Sequence, residues 1–411
     1  MITPIRDTAM REQYEALPYP ARDPRDEAKR LIIGSPSHVL EIDHYVFGGR
    51  RDWSRPFRAL FAGGGTGDGA VMLAQQLADL GCPAELVHLD PSGAAQRIAA
   101  ARAERRGLAL RCVAGSLLDL PTLGFGAFDY IDCCGVLHHL DDPAAGLRAL
   151  VGALAPHGGL GLMVYGRLGR TGVYEMQDLL RTIAGEGSPR ERIARARKLL
   201  SDLPATNWLA RNPNLSDHLE GGDAGLFDLL LHARDVAFSV EEVHALVGGA
   251  GLRLVTFIEP GRYDPLSHVR DPALRRGLAA LDPVAAAGFA EKLTGAMARH
   301  VCYAVRADNH VTPAALDHDD AVPMLRGIDG PALAQALGTR GVLVAGDGAL
   351  KLRAPVPVIS GAIAARLDNR KSLGELRAEL KPLVKSADLE GDLQALYRAL
   401  NAVNLMLVRY R

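Results

Sequence analysis

The chain has 411 residues, 48% hydrophobic and 23% charged, ordinary values for a globular protein large enough for two or three domains. Lys and Arg number 47 against 48 Asp and Glu, so no global charge draws it to nucleic acid or an anionic membrane. No apolar run approaches the roughly 18–20 residues of a membrane-spanning helix, and the start lacks signal-peptide and transit-peptide character. The five scattered cysteines (Cys82, Cys112, Cys133, Cys134, Cys302) suggest neither a disulfide framework nor a zinc site. These features predict a reduced, cytoplasmic, enzyme-sized protein with no nucleic-acid, membrane or metal partner.

In chain order, residues 1–55 form an N-terminal gate or cap segment. From residue 56, short apolar runs alternate with helical stretches, the pattern of βαβ units and a parallel sheet. Phe57–Ala62 reads as the first strand, followed by a Gly-rich turn and a helix over Val71–Leu80. Glu85–Leu89 is the second strand, Leu108–Ala114 the third and Phe128–Cys134 the fourth. Asp142-Pro143 caps a helix to Leu154, and a Gly158-Gly159 turn leads into a fifth strand, Leu160–Tyr165. A sixth (Leu252–Ile258) and a seventh (His300–Arg306) follow. The core therefore occupies 56–167 and 239–310. Residues 168–238 form a helical insertion leaving the carboxyl end of strand five, where ligand crevices lie, so it should roof the pocket. A polar linker near 308–320 leads to a separate small domain, 324–411. There, Val342–Ala345 and Ala349–Arg353 flank Gly346-Asp347-Gly348, a hairpin signal, and helices follow. No internal repeat or low-complexity segment occurs. The fold class is α/β, a doubly wound seven-stranded Rossmann-like sheet with a helical lid and a small C-terminal α+β domain.

The segment Gly63-Gly64-Gly65-Thr66-Gly67-Asp68 joins a strand to a helix. Glycines there permit positive φ and let a ligand approach backbone N–H groups. Asp90, at the end of the next strand, is placed to accept from both ribose hydroxyls of a nucleoside. A tight turn followed by an N-cap aspartate would read the same way. The dinucleotide spacing fails, since Asp68 falls where a third glycine belongs and sets a negative charge near a pyrophosphate. A sulfonium nucleoside suits the loop better.

These residues resemble the class I S-adenosylmethionine-dependent methyltransferases, with a type 11/12-like core. The resemblance is strongest over Phe57–Gly166, above all in the block from Phe128-Asp129 to Val136-Leu137-His138-His139-Leu140 and Pro143, and in Leu154-Ala155-Pro156-His157-Gly158-Gly159. It implies S-adenosylmethionine as cofactor. Gly63, Gly64, Gly65 and Gly67 would surround its methionine part and Asp90, with Pro91, its ribose. Ser116 and Leu117 would flank the adenine, and Cys134 would line the floor through its backbone. Phe61 and Ser116 depart from the family, which often places acids at both positions. An NAD-dependent oxidoreductase and a non-catalytic binding or scaffold protein on this fold are the alternatives.

Methyl transfer requires alignment, exclusion of water and a destination for any proton the nucleophile loses. His138 and His139 are the candidate bases, because imidazole titrates near neutrality; a packing role is as compatible with either. Tyr165, Arg167 and Tyr174 would face the substrate, and Tyr14 and Tyr19, in Tyr14-Glu15-Ala16-Leu17-Pro18-Tyr19-Pro20, would close over the cofactor or simply pack. Arg234 and Asp235 form either a substrate site or an ion pair that fixes the lid. Cys133 and Cys134 read as small strand residues rather than nucleophiles. The C-terminal domain is similar to winged-helix modules of the PqqD-like peptide-binding kind. Such a module implies a peptide acceptor, while a lid alone suits a small molecule. The same module would serve equally to support the lid or to pair two copies as a homodimer.

Overall fold

The computed structural model describes residues 12–338, 341–346, 350–383 and 388–411. Seven strands make one sheet: β1 (Phe57–Ala62), β2 (Ala84–Asp90), β3 (Arg111–Ala114), β4 (Phe128–Cys134), β5 (Leu154–Tyr165), β6 (Leu252–Phe257) and β7 (Arg299–Arg306). Their order is β3-β2-β1-β4-β5-β7-β6. The first five pair in parallel, but β7 runs antiparallel to both β5 and β6. The sheet is therefore mixed, not wholly parallel. Strands covered on both faces read as continuous apolar runs in either direction, so their order and sense are invisible in the hydrophobic pattern.

Packing on one face gathers Leu60, Val87, Ile131, Leu137 and Leu160. On the other, Ala59, Phe61, Tyr130 and Tyr303 pack against Ile42, Tyr45 and Val46 of the N-terminal segment. The predicted turn at Gly158-Gly159 does not break β5; the strand starts at Leu154 and shifts register against β4 between Phe128 and Tyr130. A Cβ on Gly159 would come within 2.6 Å of Val46, so this glycine serves close packing.

Between β5 and β6, helices Val173–Ala184, Pro189–Ser201 and Gly222–Leu230 pack around a small core of Val173, Met176, Leu180, Phe227 and Leu230. Ser188 and Glu191 form a capping box that starts the second of these. The C-terminal unit has its own core, including Leu333, Leu376, Leu396 and Met406. It contains a pair the sequence did not disclose, β8 (Ala321–Leu325) antiparallel to β11 (Met406–Tyr410). β9 (Val342–Ala345) pairs antiparallel with β10 (Leu352–Pro355); residues 347–349 of the predicted hairpin turn lie outside the described residues. So do residues 1–11, the beginning of the N-terminal cap.

This unit docks on residues 34–49 through a buried polar joint. Glu41, 0% exposed, accepts from Ser35, Tyr303 and Asn404 and pairs with Arg326. Ser37 donates to Asp132 and shares a hydrogen bond with Tyr130. Among the described residues, no helix is long and apolar enough to cross a membrane.

Candidate functional site

The carboxyl ends of β1, β2, β4 and β5 converge on one edge of the sheet. Between β1 and the helix Asp68–Asp79, Gly63 and Gly65 hold φ of +75° and +54°, conformations that side chains rarely adopt. Gly64 lies so close to His88 that a Cβ would fall within 2.5 Å of its ring. Asp90 stands at the end of β2, 7% exposed. Its carboxylate accepts from the Gly65 N–H (2.8 Å) and the Ser92 N–H (2.8 Å). Burial raises its pKa, against the pull of those two amides. Each oxygen keeps a lone pair for further donors, so this rigid acceptor beside a bare backbone turn fits the ribose of a nucleoside.

The N-terminal segment straps across this loop. Thr66 donates to the Pro20 carbonyl (2.8 Å), Ser92 Oγ to the Tyr14 carbonyl (3.1 Å), and Glu15 accepts from the Ala94 N–H (3.0 Å) at a helix start. Tyr19 lies over the turn, its carbonyl 3.1 Å from where a Gly65 Cβ would sit. Asp68 does not face the loop as a free charge: Arg22 and Arg102 both pair with it at 2.6 Å. The charge argument against a pyrophosphate thus loses its force. The antiparallel β7 replaces it, because the dinucleotide sheet runs in the order 3-2-1-4-5-6.

Around the other predicted cofactor residues the placement is mixed. Ser116 caps the turn Leu117–Asp119, accepting from the Leu118 N–H. Leu117 points into the core beside Leu137 and Leu140. Pro91 is exposed. Cys134 ends β4, its thiol pKa raised by burial.

A second group of side chains lies beneath the lid. His138 and His139 follow β4 in a short turn, Leu137–His139. Tyr165 ends β5, and the lid supplies Asp228 and His232. Tyr14 reaches in from the strap. Tyr14 and Tyr165 donate to the two oxygens of Asp228, each at 3.0 Å. The Tyr14 hydroxyl is also 3.2 Å from His232 Nε2 and 3.4 Å from His139 Nε2. The His139 and His232 rings stack at 3.9 Å.

The peptide around Arg234 sets the tautomers of both rings. Its carbonyl accepts from His139 Nδ1 (2.9 Å), and its N–H donates to His232 Nδ1 (3.1 Å). In their neutral forms, His139 therefore offers a lone pair at Nε2, whereas His232 offers an N–H there. Burial lowers the pKa of both, offset at His139 by Asp228, so both are neutral at pH 7. Burial likewise raises Asp228 and the Tyr14 and Tyr165 hydroxyls.

His138, 0% exposed, stacks on Tyr165 at 3.8 Å, and among the described residues neither ring nitrogen has a hydrogen-bond partner. The expected Arg234–Asp235 pair does not form. Asp235 pairs with Arg170 (2.8 Å), both side chains at most 2% exposed, and Arg170 lies 3.6 Å over the Tyr165 ring. The Arg234 side chain instead reaches Asp141, since adjacent residues on an irregular turn point apart. Arg167 braces the lid base through Glu242 and the Ala237 carbonyl, and the Tyr174 hydroxyl is buried beside the Arg170 guanidinium. Sequence reasoning missed Asp228, His232 and Arg170. The one available signal was an acid and an imidazole four residues apart at the end of an apolar helix.

His139, Asp228 and His232 also offer ligand-type atoms within 4.8 Å of one another. Asp228 and His232 stand four residues apart, but His139 lies far upstream, so no full ligand spacing was visible in the sequence. The N–H that His232 presents inward opposes metal ligation at that atom.

Residues 60–160 match a protein family described as a methyltransferase domain. An uncharacterized protein of Synechococcus sp. is 34% identical over 257 residues, which cover 61% of this chain and 60% of the relative. The chain thus spans about three fifths of the length of that curated relative. PKMT2 from Rickettsia typhi, in complex with AdoHcy, superposes with a TM-score of 0.61 at 15% identity, over 97% of this chain and 76% of that one. A second structure of the same protein gives 0.59 at 17%, over 94% and 74%. At these identities the likeness establishes the fold, and it extends into the C-terminal unit.

Proposed function

We propose that this chain, which carries a methyltransferase domain on the class I methyltransferase fold, transfers a methyl group from S-adenosylmethionine to an acceptor enclosed beneath its lid. The observation that carries the reading is Asp90, buried and clamped by the Gly65 and Ser92 amides beside the Gly63–Gly67 turn. Asp90 would hold the ribose, and the turn would lie along the methionine part, with no side chain between ligand and backbone. Bound there, S-adenosylmethionine supplies an electrophilic methyl group on a sulfonium sulfur.

The chain's own tasks are positioning, drying and proton removal. Tyr14 links the two halves, since its carbonyl bonds Ser92 beside Asp90 and its hydroxyl reaches Asp228. The base is His139 rather than His138: its Nδ1 proton is committed to the Arg234 carbonyl, so Nε2 is free to accept.

Calorimetric titration tests the reading. Micromolar binding of S-adenosylmethionine and S-adenosylhomocysteine, with none of NAD, is expected. Binding of NAD alone overturns it in favour of an oxidoreductase, and silence from all three favours a scaffold.

A further inference from the structure

The cluster under the lid specifies a donor–acceptor pattern, and that pattern selects an acceptor class. Resting on the methyl-transfer reading, we propose that the acceptor group is a phenolic hydroxyl that takes the place now filled by the hydroxyl of Tyr14.

Three groups converge on that oxygen from three sides. Asp228 Oδ1, at 3.0 Å, only accepts. His232 Nε2, at 3.2 Å, donates, because its Nδ1 already accepts from the Arg234 N–H. His139 Nε2, at 3.4 Å, only accepts, because its Nδ1 donates to the Arg234 carbonyl. An occupant must therefore receive one hydrogen bond and give another. A hydroxyl does both, whereas an ammonium group has three donors and no acceptor and would meet the His232 N–H head on. The backbone of one residue, Arg234, imposes this discrimination on both imidazoles, its N–H on His232 and its carbonyl on His139.

The surroundings favour an aromatic bearer of that hydroxyl. The Tyr14 ring lies 5.8 Å from His232 and 6.4 Å from His139 in tilted and edge-on contacts, which another phenol ring would reproduce. The Tyr14 segment is the wall that must give way: a few hydrogen bonds, from Thr66 to the Pro20 carbonyl, from Ser92 to the Tyr14 carbonyl and from the Ala94 N–H to Glu15, hold it, and the Glu15–Arg97 pair is partly exposed and adds little. Once the phenol is seated, its proton passes from oxygen to His139 Nε2. The O–H electron pair stays on oxygen, and the new imidazolium lies close to the carboxylate of Asp228, within the 4.8 Å that bounds this group.

The test is calorimetry in saturating S-adenosylhomocysteine on the wild type and on Tyr14→Phe, with p-cresol, 4-methylanisole and n-butylamine as probes. We expect saturable p-cresol binding to the wild type. Binding should be tenfold or more tighter in Tyr14→Phe, which loses the hydrogen bonds competing for the site. Neither of the other probes should bind. Butylamine in place of p-cresol would overturn the inference, as would the absence of p-cresol binding to the wild type. So would stoichiometric zinc in the purified protein that His232→Ala removes, which would make the cluster a metal centre. S-adenosylhomocysteine binding in the same titrations separates the two failures. If it binds and p-cresol does not, only the acceptor class falls; if it does not bind, the methyl-transfer reading falls too.

Discussion

This molecule holds two buried polar clusters, built from similar residues. At the joint with the C-terminal unit, both carboxylate oxygens of Glu41 and the Ser37 hydroxyl find partners within the protein, while Arg326 Nε pairs with Glu41 in charge without a well-directed hydrogen bond. Under the lid, Tyr165, His139, His232 and Asp228 are buried and Tyr14 half-buried, and among the described residues both His138 nitrogens lack hydrogen-bond partners and His139 Nε2 has only a long contact. The difference that bears on function is the unfilled hydrogen-bonding capacity at His138 and His139, next to the proposed ligand end of the sheet.

That contrast is broken most severely by exchanging the consequences. His139→Ala should lower turnover by about 10²–10⁴-fold, the typical worth of a general base, with little change in unfolding free energy. A rate within threefold of wild type in a methyl-transfer assay would return His139 to the joints. Glu41→Ala should do the reverse. Removing one partner of a buried, paired group costs about 3–5 kcal/mol, which urea unfolding would register as a lowered midpoint. A loss below 1 kcal/mol would mean that the joint is not closed.

Acid sharpens the same comparison. Burial lowers the pKa of His44 to about 4, and its ring bonds the Val408 backbone of β11. The unfolded chain takes up a proton near pH 6.5 that the folded chain refuses. Stability from this group is therefore complete above about pH 6.5 and falls as pH drops towards 4, by about 3 kcal/mol at most. Asp132, raised to about 6 by burial, works in the opposite sense. The effect is accordingly read as the difference in slope between wild type and His44→Leu in unfolding curves from pH 7 to 4. Parallel slopes would remove His44 from the account. The smallest effect is at the cofactor turn: Asp90→Ala should weaken S-adenosylhomocysteine binding by about 1–3 kcal/mol, and unchanged affinity would take Asp90 out of the site.

Much of the frame was legible in the sequence because it rests on local chemistry. The apolar runs marked the seven strands, and the Gly63–Gly67 turn, Asp90 and His138-His139 marked the carboxyl ends of β1, β2 and β4, where the proposed site lies. What escaped depends on contacts between distant segments. The sense of β7 leaves no trace in a strand buried on both faces. Asp235 finds Arg170, 65 positions away, rather than its neighbour Arg234. Asp228 and His232 gain meaning only when the lid folds back over β4 and β5. Arg234 was singled out for its charge, yet its backbone N–H and carbonyl are what order the two imidazoles.

A structure of the protein bound to S-adenosylhomocysteine is the most direct test. In it the ribose hydroxyls should lie on Asp90 and the sulfur should turn towards the Tyr14 hydroxyl, on the side of His139 and Asp228. A nucleoside bound away from Asp90, or a sulfur walled off from the cluster beneath the lid, would contradict the methyl-transfer reading.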